Sequence, residues 1–212
     1  MAKRRKVANL MGLAILSAVA QRPMHPYEMA QTLRGWGKDH DMGIKWGSLY
    51  TVVGNLARHG LIEEAESERQ GRRPERTVYR ITEAGRQEMA DWTRELLSVP
   101  YTEFPRFRAG LSVMMVLTPD EVIDLLGERL AALDTEIGAL RGRYERDIAD
   151  LPRLFLIESE YDLAVLTAEA TWIRALLDEL TGGTFPGLPE WRAFHQTGEL
   201  PADLRDLAEK NS

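Results

Sequence analysis

Residues 47–82 read GSLYTVVGNLARHGLIEEAESERQGRRPERTVYRIT, and the period of their apolar pattern changes once along the way. Leu49, Val52, Val53 and Leu56 recur at steps of three and four, which predicts an amphipathic helix over about 47–59. Ser48 is placed to cap its start, and Gly60 to end it in the left-handed conformation. The other face carries Tyr50, Thr51, Asn55 and Arg58. Gly54 sits mid-helix, where it costs about 1 kcal/mol relative to alanine. Beyond Gly60 the period becomes two. Residues 61–67 and 76–82 are strand candidates, with Thr77, Tyr79 and Ile81 alternating against Arg76, Val78 and Arg80. Arg69-Gln70-Gly71-Arg72-Arg73-Pro74-Glu75 joins them as a hairpin loop.

Upstream, residues 8–20 are apolar and helix-prone and stop at Arg22-Pro23. His25-Pro26-Tyr27-Glu28 opens a second helix, because proline suits a first helical turn. Tyr27, Ala30 and Leu33 follow at steps of three, and the helix ends near Gly35 and Gly37. Downstream, Thr82 caps a helix over about 83–97, with Met89, Trp92 and Leu96 on one side. The order is three helices, two strands and a helix, which is that of a winged helix-turn-helix. The local signals agree with one another.

Val99-Pro100-Tyr101 interrupts the chain, and the pattern after it is helical. Phe104, Phe107, Leu111, Met114 and Met115 mark one apolar face. Thr118-Pro119-Asp120-Glu121 has the form of a capping box. Val122, Leu126, Leu130, Leu133, Ile137, Leu140 and Tyr144 then extend an apolar stripe over nearly eight turns. A second long helix is expected over about 154–180, with Ile157, Tyr161, Ala164, Ala168, Trp172 and Leu176 in line. The expected fold class is mainly α with an α+β wing, in three parts. Residues 1–97 form the winged helix-turn-helix, 98–183 a long-helix dimerisation domain, and 184–212 a loosely ordered tail rich in Pro, Gly and charge. Two long amphipathic helices cannot bury both stripes on so small a first domain. Packing against the same helices of a second chain is the economical solution, and predicts a homodimer.

Composition narrows the function. The 212 residues include no cysteine, which excludes disulfides, thiolate zinc sites and a cysteine nucleophile. No apolar run approaches the roughly 20 residues of a membrane helix, and Gln21-Arg22-Pro23 offers no signal-peptide cleavage site. The chain is expected to be cytoplasmic, with no membrane partner. Its four histidines have no zinc-helix spacing, and no phosphate loop or Gly-x-Ser-x-Gly occurs. The expectation is therefore not an enzyme, with no catalytic residue, metal or cofactor. The net charge of −6 divides into +4 over residues 1–97 and −10 over 98–212. Only the first part suits a polyanion.

Those observations point to double-stranded DNA. Recognition needs an exposed helix face that reaches base edges and phosphates. The expected contacts are Tyr27, Lys45, Ser48, Tyr50, Thr51, Asn55 and Arg58 on and around the third helix. Arg69, Arg72, Arg73 and Arg76 on the hairpin and Lys3, Arg4 and Arg5 at the start of the chain add charge. Glu63, Glu64, Glu66 and Glu68 would repel phosphate, so they either hold the hairpin stem off DNA or pair with Arg76 and Arg80. Trp92, Phe107, Met114 and Trp172 are candidates to line a pocket for a flat apolar effector, against the alternative that they are ordinary core. A protein-interaction module that keeps the scaffold without DNA binding is the competing reading.

The motifs in hand resemble the PadR family of transcriptional regulators. The resemblance rests on Leu13-Ala14-Ile15-Leu16, His25-Pro26-Tyr27-Glu28, Gly47-Ser48-Leu49-Tyr50 with Leu56, Gly60-Leu61-Ile62, and Tyr79-Arg80-Ile81-Thr82-Glu83-Ala84-Gly85. The second half is similar to larger members with a C-terminal helical dimerisation domain. The resemblance implies a homodimer on a palindromic operator, usually a repressor, with the helix bearing Ser48-Leu49-Tyr50 in the major groove and the Gly71 hairpin as the wing. It also implies relief by phenolic acids or drug-like cations. Thr51 stands where many members have proline, and Trp46 where small or charged residues are common. The family's base contacts are therefore not carried over to this chain.

Overall fold

The computed structural model describes residues 5–38, 42–65 and 77–199. It divides between Thr102 and Glu103 into two compact units.

In the first unit, α1 (Leu10–Val19) begins at Asn9, whose side chain accepts from the Met11 N–H at 2.9 Å. It is apolar on nearly all sides, and a helix of that kind belongs in a core. Met11, Ala14, Ile15, Leu16 and Ala18 are sealed from solvent. Around it pack α2 (Pro26–Gly35) and α3 (Leu49–Arg58). They add Met29, Leu33, Leu49, Val52, Val53 and Leu56 to the core. β1 (Ile62–Ala65) and β2 (Val78–Ile81) pair antiparallel, with Ile62 opposite Ile81 and Glu63 opposite Arg80. Met24 forms an isolated antiparallel bridge to Tyr79 of β2. α4 (Glu83–Ser98) starts at Thr82, whose Oγ1 accepts from the Gly85 N–H at 3.0 Å.

Two glycines are required by geometry. Gly60 has φ +68° and closes α3 with a Schellman turn, its N–H bonding Ala57 O and the Leu61 N–H bonding Leu56 O. Gly85 lies so close to the backbone that a Cβ there would stand 2.0 Å from Leu61 O. The Thr-Glu-Ala-Gly motif is thus a cap followed by a close approach of α4 to the end of α3.

In the second unit, α5 (Arg106–Ser112) leads through a 3₁₀ turn, Met114–Val116, into α6 (Pro119–Asp150). The expected capping box is present: Thr118 Oγ1 accepts from the Glu121 N–H at 3.2 Å, and Glu121 accepts from the Thr118 N–H at 3.0 Å. α7 (Ile157–Gly182) returns along α6. Between them Val122, Leu126, Leu133, Ile137, Ala170, Ile173, Leu176 and Leu180 form the core.

Four expectations about secondary structure and packing change. Phe104 is 83% exposed, so the face expected to join it to Phe107 and Leu111 does not form. Pro105 occupies the N-cap of α5 and leaves Phe104 outside the helix. The inward stripe of α7 is Ala170, Ile173, Leu176 and Leu180. Ile157, Tyr161, Ala164, Ala168 and Trp172, expected to line up with Leu176 inside, are exposed. The helix is apolar on two sides, so periodicity could not choose between them. Finally, the stretch from 184, expected as a loose tail, contains a helix, α8 (Leu188–Thr197), with Leu188 and Trp191 buried in the core. Gly187 at φ +82° starts it and Pro189 suits its first turn. Trp191 Nε1 donates to Leu117 O at 2.9 Å, and His195 Nε2 lies 3.0 Å from Met115 O. The fourth concerns Ser48, described next.

Candidate nucleic-acid interface

α3 is held by its buried face, and that fixes what the other face offers. With Leu49, Val52, Val53 and Leu56 inside, the exposed positions are Tyr50, Thr51, Gly54 and Arg58. Tyr50 is 66% exposed. Asn55 is half-buried at the edge of this face, and its Oδ1 accepts from Arg58 Nη1 at 2.9 Å. With its carbonyl so engaged, Asn55 presents its amide N–H groups, which match the acceptors on purine edges.

Gly54 is the residue whose role the sequence left open. It lies at the centre of the exposed face, and a Cβ there would meet nothing within 4 Å. The space is not claimed by any described residue, and the bare backbone permits close approach from outside.

Ser48 does not cap α3 through its side chain. The chain enters the helix through a 3₁₀ turn, Trp46–Ser48, and the Ser48 hydroxyl donates back to Lys45 O at 3.0 Å instead of accepting from a helix N–H. Trp46 has a role that the sequence reading missed. Its ring packs on the core, and the Arg34 guanidinium of α2 lies over it at 4.4 Å. A cation over an aromatic face adds attraction to the packing. The start of α3 is braced against the end of α2 in this way. Lys45 and Tyr27 are both exposed near the helix starts.

Arg5 is a correction. Its side chain is 4% exposed, with Nη2 2.5 Å from Glu95, Nη1 on Glu88, and the guanidinium 5.1 Å above the Trp92 ring. Both Nη atoms are held by carboxylates and Nε is buried without a partner, so the side chain is enclosed rather than presented to a phosphate. Lys3, Arg4, Arg69, Arg72, Arg73 and Arg76 lie outside the described residues, as do Glu66 and Glu68. Glu63 pairs with Arg80 across the hairpin at 2.8 Å. Both groups are more than half exposed, so the pair neutralises charge more than it stabilises.

Of the effector candidates, Trp92 is buried in the first unit beneath Arg5 and beside Gly12, as core. The other three lie in the second unit. Phe107 meets Trp172 edge-on at 6.2 Å, and Arg129 lies 4.0 Å over the Phe107 ring while pairing with Glu169. Met114 packs partly buried against the core. Trp172 also lines an open apolar groove of about 750 Å³ that runs along α7 with Ala164, Ala168 and Ala175.

Three helices around a sealed core, two paired strands and an exposed third helix define a winged helix-turn-helix. Residues 15–91 match the sequence model of the transcriptional regulator PadR-like family. A curated relative, the negative transcriptional regulator PadR of Bacillus subtilis, is 24% identical over 140 residues, covering 64% of this chain and 74% of its own length. The fold is also similar to that of crystal structures of Bacillus subtilis PadR. One, in complex with operator DNA, aligns with TM-score 0.65 at 20% identity over 81% of this chain and 99% of its own. Another, in complex with p-coumaric acid, aligns with TM-score 0.66 at 20% identity over the same shares.

Proposed function

We propose that this chain is a sequence-specific DNA-binding repressor that acts in the cytoplasm as a homodimer and releases its operator on binding a small aromatic effector. The observation that carries the proposal is the split character of α3. One face is sealed into a rigid core, and the other presents Tyr50, Thr51, Asn55 and Arg58 around a bare Gly54. That is what reading a major groove requires. The basic residues outside the described segments, Arg69, Arg72, Arg73 and Arg76 with Lys3 and Arg4, add sequence-independent attraction.

The second apolar stripe of α7 supports pairing, because a helix does not keep Ile157, Tyr161 and Trp172 in water without a use for them. Dimeric helix-turn-helix proteins bind half-sites one turn apart, about 34–36 Å along the duplex, and that is the spacing expected of the operator. The name of the Bacillus subtilis relative supports repression. The similar structure solved with p-coumaric acid supports an aromatic effector, with Phe107, Trp172 and Arg129 as the candidate contacts. Such a ligand acts only if it binds the released state more tightly than the DNA-bound state.

The test is selection of duplexes from a random library, followed by salt-titrated binding to the recovered sequence. A palindrome should emerge. Tyr50→Ala or Arg58→Ala should cost about 1–3 kcal/mol and relax the sequence preference. Arg72→Ala with Arg73→Ala should weaken binding to all sequences and flatten the salt slope. Absence of binding even at low salt would leave an interaction module on a winged-helix scaffold in its place.

A further inference from the structure

Arg5 is the most enclosed member of the described ion pairs, its side chain 4% exposed, with both Nη atoms partnered and Nε not. Glu88, Trp92 and Glu95 stand on one face of α4 at successive turns, so the two carboxylates bracket the guanidinium and the indole lies beneath it. Trp92 is in turn packed over Gly12 of α1. A buried guanidinium is strongly disfavoured without such partners, which makes the arrangement directional and stiff. Glu95 has one more partner: the Tyr101 hydroxyl donates to it from beyond the end of α4. Val99 to Thr102 is also the stretch through which the chain passes into the second unit. One network therefore ties the chain start, the last turns of α4 and the outgoing connection together.

We infer that Arg5 is a positioning residue for operator binding: held by Glu88 and Glu95 and linked through Glu95 to Tyr101, it holds residues 99–102, the last of the DNA-reading unit, against the end of α4. This rests on the reading of the chain as a dimeric DNA binder. In such a molecule the second half-site is bound intramolecularly, and its gain depends on how well the joint presents the second α3. A loosened joint leaves each α3 intact and lowers only that gain.

The experiment compares two duplexes: the palindrome selected by the wild-type chain, and the same duplex with one half scrambled. Arg5→Met should weaken binding to the palindrome about tenfold and leave half-site binding unchanged, with the salt slope of half-site binding preserved. Glu88→Gln with Glu95→Gln should do the same. A DNA-contacting Arg5 predicts the opposite sign for that pair, because freeing the guanidinium would strengthen binding to both duplexes. Tyr101→Phe, which keeps the buried charges paired, should give a smaller loss confined to the palindrome, and it decides the matter if the Arg5 variant does not fold. Equal losses on both duplexes, or no loss on either with Tyr101→Phe and Glu95→Gln, overturn the inference. Failure of the wild-type chain to bind either duplex overturns the DNA-binding reading itself, and the inference with it.

Discussion

The two units of this chain treat apolar surface in different ways. In the first, Ala14, Ile15, Leu16, Leu33 and Leu56 have no solvent exposure, the exposed aromatic residues of α2 and α3 are Tyr27 and Tyr50, which carry hydroxyls, and exposed aliphatic residues gather at the end of α4, at Leu96, Leu97 and Val99. In the second, core residues such as Leu133, Ile137 and Leu176 keep 6–8% exposure, while Val116, Leu154, Phe155 and Tyr161 are between 63% and 76% exposed. The first unit seals a core around α1 and turns the polar face of α3 outward. The second leaves a whole apolar stripe of α7 outside, although its other stripe is used. A helix with two apolar sides is designed for two neighbours, and α6 is one of them. The contrast separates two tasks, presenting donors on a rigid face and supplying surface for association.

The sharpest break of that contrast is in folding stability. Gly85→Ala sets a Cβ against the Leu61 carbonyl, which cannot move without shifting the end of α3. It should cost about 3 kcal/mol or more in urea unfolding of the first unit. Leu16→Ala should fall in the same range, about 2–5 kcal/mol, through the cavity it leaves. Phe155→Ala in the second unit should change monomer stability by less than about 0.5 kcal/mol. Comparable losses at Leu16 and Phe155 would mean that the two units do not differ in this respect.

Association is the next test. On the proposed reading, Trp172→Glu places a charge in the exposed stripe of α7, and Tyr161→Glu does so three turns earlier. Each should raise the dimer dissociation constant by about a hundredfold, the scale of burying an unpaired charge at a contact. Far-ultraviolet circular dichroism should not change, since neither side chain supports the α6–α7 core. Sedimentation of both variants as wild-type-like dimers would remove this stripe from the association surface.

A finer test lies on α3. Gly54→Ala adds a methyl group where this chain has nothing within 4 Å. Helix propensity alone predicts a stability gain of up to about 1 kcal/mol. Operator binding should weaken if the bare backbone is there for close approach. A variant both more stable and equally tight on DNA would make Gly54 neutral for binding.

What could be read from the sequence follows the same division. The order of elements in the first unit, the turn at Gly60, the Thr82 cap and the capping box at Thr118 were all legible, because each is a local signal of a few residues. The inward side of α7 was not, since Ile157, Tyr161 and Trp172 compete on equal terms with Ala170, Ile173 and Leu180. Arg5 was read with its basic neighbours as a phosphate contact, because its partners Glu88 and Glu95 lie more than 80 residues away and charge counting cannot see them. Trp46 was noticed as unusual, but its use as a base for Arg34 depends on how α2 and α3 cross. The exposed face of α3 was read nearly whole, and lacked only the recognition that Gly54 is its centre.

The smallest effect belongs to the corner of the α6–α7 hairpin. Arg153 donates to both oxygens of Glu160 at 2.7 Å, and the Tyr144 hydroxyl donates to one of them at 2.7 Å. These bonds, Arg153 first and Tyr144 second, pull the Glu160 carboxyl from 4.5 down to about 2, against the opposing effect of burial. Because the folded value is depressed, the stabilisation is fully present above about pH 4.5 and is lost as pH falls through about 2. Solvent reaches the pair, so the contribution is modest and screened by salt. Glu160→Gln should therefore lower the unfolding temperature of the second unit slightly near neutral pH at low salt. The difference from wild type should shrink between pH 4.5 and 2 and vanish below, while the first unit's transition does not respond. Parallel acid limbs for the variant and the wild type would mean that this corner is held by the Leu151–Leu156 backbone turns alone.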